Sequence, residues 1–118
     1  MNKTVLIVED EFIIAMALQL LLEGHGWTVI GPAANVKAAL ALLQGELPSA
    51  AVLDVNLGNE LVTSVAETLK AKGVPFAVAS AYDKPELIGG DVLAGIMNVG
   101  KPTPDQRLLL ALAELTGA

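Results

Sequence analysis

The 118-residue chain contains no cysteine, and aromatic residues make up only 3% of it. The absence of cysteine excludes disulfides and thiolate metal sites and is typical of proteins in reducing compartments. With so few aromatic rings, a hydrophobic core has to be built from Ala, Val, Leu and Ile. Basic residues are also scarce, 7 against 13 acidic ones, and the net charge of −6 disfavours a nucleic-acid surface, which usually needs a basic patch.

The sequence also lacks an apolar run long enough to cross a bilayer. The longest nearly uninterrupted one, residues 12–22, is broken by Gln19 and is shorter than the roughly 20 residues that a spanning helix needs. This run follows an acidic segment rather than a basic one, so it is a poor signal peptide as well. We therefore expect a cytoplasmic protein that binds neither a membrane nor nucleic acid.

Apolar residues make up 53% of the chain and charged residues 17%, which indicates a folded domain with a large core. Short strand-like runs alternate with helix-length segments. The predicted strands are residues 5–8, 27–30, 50–55, 76–79 and 96–99, and the predicted helices are residues 11–24, 35–45, 60–72, 84–93 and 103–116. This alternation predicts a doubly wound α/β fold, with a five-stranded parallel sheet in a flavodoxin-like three-layer (βα)5 sandwich. We expect a single domain over residues 1–118 with no output domain.

Two of the predicted helices have features that set them apart. Gly89 and Gly90 fall in the middle of the fourth, which we therefore expect to be short, frayed or mobile. The last one opens with Thr103 as a candidate N-cap and Gln106 completing a capping box.

The first and fifth helices are apolar on nearly all sides, whereas a surface helix needs only one apolar stripe. They belong to the same side of a doubly wound sheet. Either they cover each other and a generous core, or part of one forms an exposed patch. Such a patch would serve a homodimer or a helical phosphotransfer partner.

Charged residues follow three of the buried strands at their carboxyl ends, where open α/β sheets hold ligands. Glu9 and Asp10 follow the first strand and Asp54 the third, and these two strands are neighbours in a sheet of this type. Carboxylates held so close resist ionisation unless a cation compensates them. We expect Mg²⁺, or Mn²⁺ in its place, with the carbonyl of Asn56 as a further oxygen ligand.

The remaining polar residues at these strand ends suit phosphate. Lys101, after the fifth strand, offers a positive charge for a phosphoryl oxygen, and Ser80, after the fourth, offers a hydroxyl. Phosphoryl transfer asks a protein mainly for positioning and charge stabilisation, and a carboxylate can act as the nucleophile. Asp54 is the best candidate because it directly follows a buried strand.

These motifs, in this order and spacing, resemble the receiver domain of bacterial response regulators, and the resemblance covers essentially the whole chain. The motifs are Val-Glu-Asp-Glu, Leu-Asp-Val-Asn-Leu around Asp54, Ala-Ser-Ala-Tyr and Lys-Pro. The resemblance implies that Asp54 accepts a phosphoryl group from a sensor histidine kinase or a histidine phosphotransfer protein. It also implies a Mg²⁺ site, Ser80 as the switch hydroxyl, Lys101 as the phosphate contact and a cis peptide before Pro102.

One departure from the receiver pattern concerns how a signal would leave the site. Receivers usually carry an aromatic residue three positions before the lysine, where this chain has Asn98. We expect Tyr82, two residues past Ser80, to take over part of the switching role of that aromatic residue or to shield the phosphoryl group. By the resemblance the protein is not an enzyme beyond its own phosphorylation and dephosphorylation, and it signals to an unidentified downstream protein.

Three other functions compete with the phosphorylated switch. A degenerate receiver would act as a constitutive adaptor, which Asn98 favours. A phosphohydrolase of the haloacid-dehalogenase type would need its nucleophile in an Asp-x-Asp pattern after the first strand, but Glu9-Asp10-Glu11 stands there. A nucleotide- or flavin-binding domain would need a glycine-rich or hydroxyl-rich loop at that same place.

Overall fold

A computed structural model describes residues 3–58, 60–81 and 84–117. The strands are β1 (Thr4–Val8), β2 (Thr28–Ala33), β3 (Ala50–Asp54), β4 (Asn56–Leu57), β5 (Glu60–Leu61) and β6 (Phe76–Ala79). The helices are α1 (Phe12–Gly24), α2 (Val36–Leu42), α3 (Thr63–Ala71), α4 (Glu86–Gly89) and α5 (Asp105–Thr116), and a 3-10 helix spans Asp91–Leu93. The main sheet is parallel with the order β2-β1-β3-β6.

The sheet separates two hydrophobic cores, because alternate residues of a strand point to opposite faces. Leu6 and Val8 pack on one face with residues of α2 and α3. Val5 and Ile7 pack on the other face with Leu22 of α1 and with α5. Helices therefore cover both faces of the sheet, and the predicted doubly wound, flavodoxin-like arrangement is confirmed.

The predicted fifth strand, residues 96–99, is wrong as a strand. It reduces to a single parallel bridge between Asn98 and Val78, with hydrogen bonds from the Val78 N–H to the Met97 carbonyl and from the Val99 N–H to the Val78 carbonyl, both 2.9 Å. The next rung does not form because the Ser80 N–H donates to the side-chain Oδ1 of Asn98 at 3.1 Å. An asparagine side chain that binds backbone groups competes with a ladder in this way.

The fourth helix is as short as the sequence predicts. It spans Glu86–Gly89 and stops at Gly90, whose φ of +97° favours glycine. Gly89 is also in close contact with its surroundings, because a Cβ at this position would lie 2.5 Å from Leu93 Cδ1 and 3.2 Å from Val55 Cγ1. The two glycines thus end the helix and let it approach the core.

Two local features differ from the sequence prediction. The predicted third helix begins with a short antiparallel pair, β4 with β5, and only then continues as α3. The Glu60 side chain contacts the start of α2, where it accepts a hydrogen bond from the Val36 N–H at 3.2 Å. The predicted capping box of the last helix is wrong, since the Thr103 hydroxyl donates to the Gly100 carbonyl at 2.5 Å and α5 begins at Asp105.

Helices α1 and α5 lie on the same side of the sheet, as expected, but they differ in how much apolar surface they leave exposed. Among the large apolar residues of α5, Leu110 is exposed at 60%, whereas α1 exposes four, Phe12, Ile13, Met16 and Leu20, at 71%, 75%, 41% and 65%. Within the described ranges, no helix is both long and apolar enough to cross a membrane.

Candidate functional site

Three carboxyl groups meet where β1 and β3 end. Val8 pairs with Leu53 in the parallel register, so Glu9 and Asp54 are the next residues on these two strands. Glu9, Asp10 and Asp54 each offer one carboxylate oxygen, and these atoms all lie within 4.8 Å of one another. Glu9 and Asp54 are buried, whereas Asp10 is exposed. The expected convergence of acidic side chains is therefore present in the fold.

Lys101 is the cation that faces this acidic cluster. Its Nζ donates a hydrogen bond to Asp54 Oδ2 at 2.8 Å and lies 3.3 Å from Glu9 Oε1. The lysine side chain keeps 24% of its surface exposed, against 3% for Glu9 and 5% for Asp54. Removing one partner of such a buried pair leaves an uncompensated charge. Lys101 thus neutralises part of the charge that the strand ends bring together.

The pKa values of both ionisable partners, Glu9 and Lys101, are raised, but for different reasons. The pKa of Glu9 is raised from 4.5 to about 7, chiefly by burial; the Glu11 N–H and Lys101 act to lower it, and the neighbouring Asp54 acts to raise it. Burial alone would lower the pKa of Lys101, but the hydrogen bond and charge of Asp54 and the charge of Glu9 outweigh it, so that pKa is raised. The lysine stays charged at neutral pH.

The Asp54 carboxylate is held by both of its oxygens. Oδ2 accepts from Lys101, and Oδ1 accepts from the Asn56 N–H at 3.2 Å. A turn of this kind, in which an aspartate binds the backbone two residues further on, is a common local structure. It fixes the carboxylate at the rim of a cavity.

The cavity has a volume of about 350 Å³, enough for about ten water molecules. It brings together the predicted side chains from three strand ends, and its lining includes Asp10, Asp54, Asn56, Ser80 and Lys101. Ser80 is itself buried and follows β6, whose Ala79 pairs with Asp54. Groups that are remote in sequence therefore face one space.

The other predicted site residues lie around this cavity or outside the described residues. The Lys101–Pro102 peptide bond is cis. Tyr82 lies outside the described residues. The sequence treats Asn98 only as a missing aromatic residue, but its Oδ1 accepts from both Ser80 N–H and Gly100 N–H. The signal that points to this is Asn-x-Gly at a strand end, because asparagine binds the backbone two residues on.

Comparisons with known proteins agree with this geometry. A model of the response regulator receiver domain matches residues 5–113. The chain belongs to this family. A curated relative, the phyllosphere-induced regulator PhyR of Methylorubrum extorquens, is 35% identical over 92 residues, which are 75% of this chain and 34% of that protein. The chain therefore spans about a third of that relative's length.

Solved receiver structures resemble the whole fold. A response regulator from Chloroflexus aurantiacus superposes with a TM-score of 0.85 at 25% identity, covering 100% of both chains. A response regulator protein from Burkholderia pseudomallei, with a phosphorylated aspartic acid, a calcium ion and citrate, has a TM-score of 0.79 at 25% identity, covering 94% of this chain and 66% of that one.

Receiver domains are phosphorylatable signalling modules of two-component systems and are generally not enzymes that turn over a separate substrate. The cluster of Glu9, Asp10 and Asp54 fits both a metal site and a phosphorylated aspartate in such a receiver. Family membership and geometry therefore indicate the same class of function.

We predict that the metal-free protein becomes less stable as pH rises through neutrality. A carboxyl whose pKa is higher in the folded than in the unfolded chain stabilises the fold below its unfolded value of 4.5, and this contribution is lost as pH rises through about 7. Urea unfolding with a chelator should show the free energy of unfolding falling from about pH 5 to about pH 8. Glu9→Gln should flatten this decline.

Glu67→Gln, an exposed change on α3, is the matched control and should keep the wild-type slope. A decline that persists unchanged in Glu9→Gln would contradict the assignment.

Proposed function

We propose that the protein is a phosphorylatable signalling switch in which Asp54 accepts a phosphoryl group from a sensor histidine kinase or a histidine phosphotransfer protein. The observation that supports this most is the 2.8 Å contact between Lys101 Nζ and Asp54 Oδ2 inside the acidic cluster. A structural ion pair would not need two further carboxylates beside it. A metal-dependent phosphoryl site uses Asp54 as the nucleophile, Lys101 as the positive charge for the phosphoryl group, and the Glu9 and Asp10 carboxylates as metal ligands.

In the proposed reaction, a carboxylate oxygen of Asp54 attacks the phosphorus of a phosphohistidine. The P–O bond of an aspartyl phosphate forms, the P–N bond breaks, and the released imidazole nitrogen keeps the electron pair and takes up a proton. The new phosphoryl oxygens carry negative charge, which Lys101 and the Ser80 hydroxyl would contact. Lys101 would then exchange its contact with Asp54 for one with the phosphoryl group.

The donor set of the acidic cluster suits a hard divalent cation. Glu9, Asp10 and Asp54 supply carboxylate oxygens, and the Asn56 carbonyl would add another oxygen; oxygen ligands are what Mg²⁺ and Mn²⁺ prefer. When bound, Mg²⁺ would offset the repulsion between the phosphoryl group and these carboxylates. The similar Burkholderia protein, which carries a phosphorylated aspartic acid and a calcium ion, supports this chemistry.

The competing functions have less support. A constitutive adaptor has no need for the buried Glu9, Asp54 and Ser80, because burying polar groups costs stability. A phosphohydrolase of the haloacid-dehalogenase type would use a nucleophile at the end of β1, where Glu9 is paired with Lys101.

We predict that incubation with Mg²⁺ and acetyl phosphate gives a single phosphoryl adduct by intact mass spectrometry. Asp54→Asn should abolish the adduct because it removes the nucleophile, and chelation of the metal should do the same. Asp91→Asn, an exposed aspartate of the 3-10 helix, is the matched control and should label like wild type. An adduct that survives Asp54→Asn would refute the assignment, and turnover of acetyl phosphate by that variant would revive the phosphohydrolase.

We also propose that the outer face of α1 contacts the partner that supplies the phosphoryl group. Phe12, Ile13 and Leu20 are 71%, 75% and 65% exposed, which is unusual for apolar side chains on one helix. An apolar pocket lined by Phe12 and Met16 continues to Glu9 and Asp10, so this face adjoins the acidic cluster. A helix docked there would bring its histidine close to Asp54.

We predict that Ile13→Lys slows phosphotransfer from a phosphorylated histidine kinase of the same organism by about tenfold, because it places a charge in a desolvated contact. Labelling by acetyl phosphate, which needs no docking, should be unchanged. Leu87→Lys, which changes an equally exposed apolar side chain on α4, is the control and should leave both reactions unchanged.

Light scattering distinguishes a second copy of the chain as the occupant of this face. If wild type is a dimer and Ile13→Lys is a monomer, the occupant of this face is a second copy of the chain rather than the kinase. If wild type and Ile13→Lys are both monomers and accept the phosphoryl group from the kinase at the same rate, the proposed surface is refuted.

A further inference from the structure

The side chain of Asn98 joins the two segments that carry the predicted phosphate contacts. Its Oδ1 accepts hydrogen bonds from the Ser80 N–H at 3.1 Å and from the Gly100 N–H at 2.9 Å. Ser80 follows β6, and Gly100 immediately precedes Lys101. One oxygen atom thus connects the residue that bears the hydroxyl to the residue next to the lysine.

Asn98 is itself fixed in place by its neighbours on the sheet edge. Its backbone forms the parallel bridge with Val78, and the residues on either side, Met97 and Val99, exchange hydrogen bonds with Val78 at 2.9 Å each. The Asn98 side chain therefore starts from a position defined by β6. A rigid origin is what a group needs if it is to position others accurately.

The segment that follows Asn98 is irregular in conformation. Gly100 has a φ of +86°, and its carbonyl accepts from the Thr103 hydroxyl at 2.5 Å. The Gly100 N–H binds Asn98 Oδ1 and the Gly100 carbonyl binds the Thr103 hydroxyl, so the peptide groups on both sides of Gly100 are held. The position of the Lys101 backbone, and so the direction of its side chain, depends on these two hydrogen bonds.

We infer that Asn98 is a positioning residue for phosphoryl binding, which acts by holding the Ser80 and Lys101 segments at a fixed separation through Oδ1. The inference rests on the proposed function, since it assigns Asn98 a task in that same site. Asn98 is not one of the proposed metal ligands, and its Oδ1 binds the Ser80 and Gly100 amides on the side of the site that would contact phosphoryl oxygens. It should therefore affect the binding of a phosphoryl group and spare the binding of the metal.

Asn98→Leu tests this because leucine has nearly the shape of asparagine but no acceptor atom. Beryllofluoride, BeF3⁻, is the probe for the phosphoryl group, titrated with saturating Mg²⁺ and followed by ¹⁹F NMR. We expect its affinity to fall by about tenfold, while the affinity for Mg²⁺ alone, measured by calorimetry, stays within about twofold of wild type. The backbone amide proton signals of Ser80 and Gly100 should shift upfield as their hydrogen bonds are lost.

Met97→Ala is the matched control, since it alters the neighbouring side chain and leaves Oδ1 in place; it should preserve both affinities. If Asn98→Leu does not fold by circular dichroism, Asn98→Ser carries the same test, because its shorter hydroxyl cannot reach both amides. Unchanged BeF3⁻ affinity would overturn the inference, and so would an equal loss of BeF3⁻ and Mg²⁺ affinity, which would indicate a merely structural role. If wild type itself binds no BeF3⁻, it is the proposed function that fails.

Discussion

The rest of the site depends on one electrostatic constraint, which is that two neighbouring parallel strands end in carboxylates. The register of β1 and β3 places Glu9 beside Asp54, and Asp10 completes a cluster within 4.8 Å. Like charges so close are costly in a buried setting, about 4 kcal/mol for a pair at 4 Å with an intermediate dielectric. The protein relieves this with Lys101, with a raised pKa at Glu9, and, as we propose, with a divalent cation. Lys101 is thus a structural counter-charge and, as we propose, the group that contacts a phosphoryl oxygen.

The chain departs from the usual receiver pattern at the edge of the sheet beside β6. In place of a full fifth strand there is one bridge, and the rung that would follow is taken by the Asn98 side chain. Its oxygen links the Ser80 and Gly100 backbones. A movement of the Ser80 backbone on phosphorylation would therefore act directly on the segment that carries Lys101. The short helix α4 comes after Ser80 in the chain. It ends at Gly90, and Gly89 lets it lie close to Val55.

The sequence allowed the fold and the main members of the site to be predicted, for a physical reason. Apolar runs such as residues 5–8 mark buried parallel strands, and a charge directly after such a run has to lie at the ligand-binding end of the sheet. Glu9 and Asp54 are located by that rule, whereas Lys101 lies at the same end of the sheet although the run before it forms a single bridge. The edge could not be predicted in the same way, because residues 96–99 are as strand-like as the others and the outcome depends on where one side-chain oxygen points. Likewise Thr103 is a good N-cap by type, but its hydroxyl donates to the Gly100 carbonyl, and α5 begins at Asp105 with Pro104 as its N-cap.

The most direct measurement of the central claim, that Lys101 holds Asp54 until a phosphoryl group takes its place, is a crystal structure with Mg²⁺ and BeF3⁻ bound. We predict beryllium on an Asp54 carboxylate oxygen, Lys101 Nζ moved from Asp54 Oδ2 to one fluorine, and the Ser80 hydroxyl on another. A structure in which BeF3⁻ is bound elsewhere, or in which Lys101 keeps its present contact with Asp54 Oδ2 while BeF3⁻ is bound, would contradict the account.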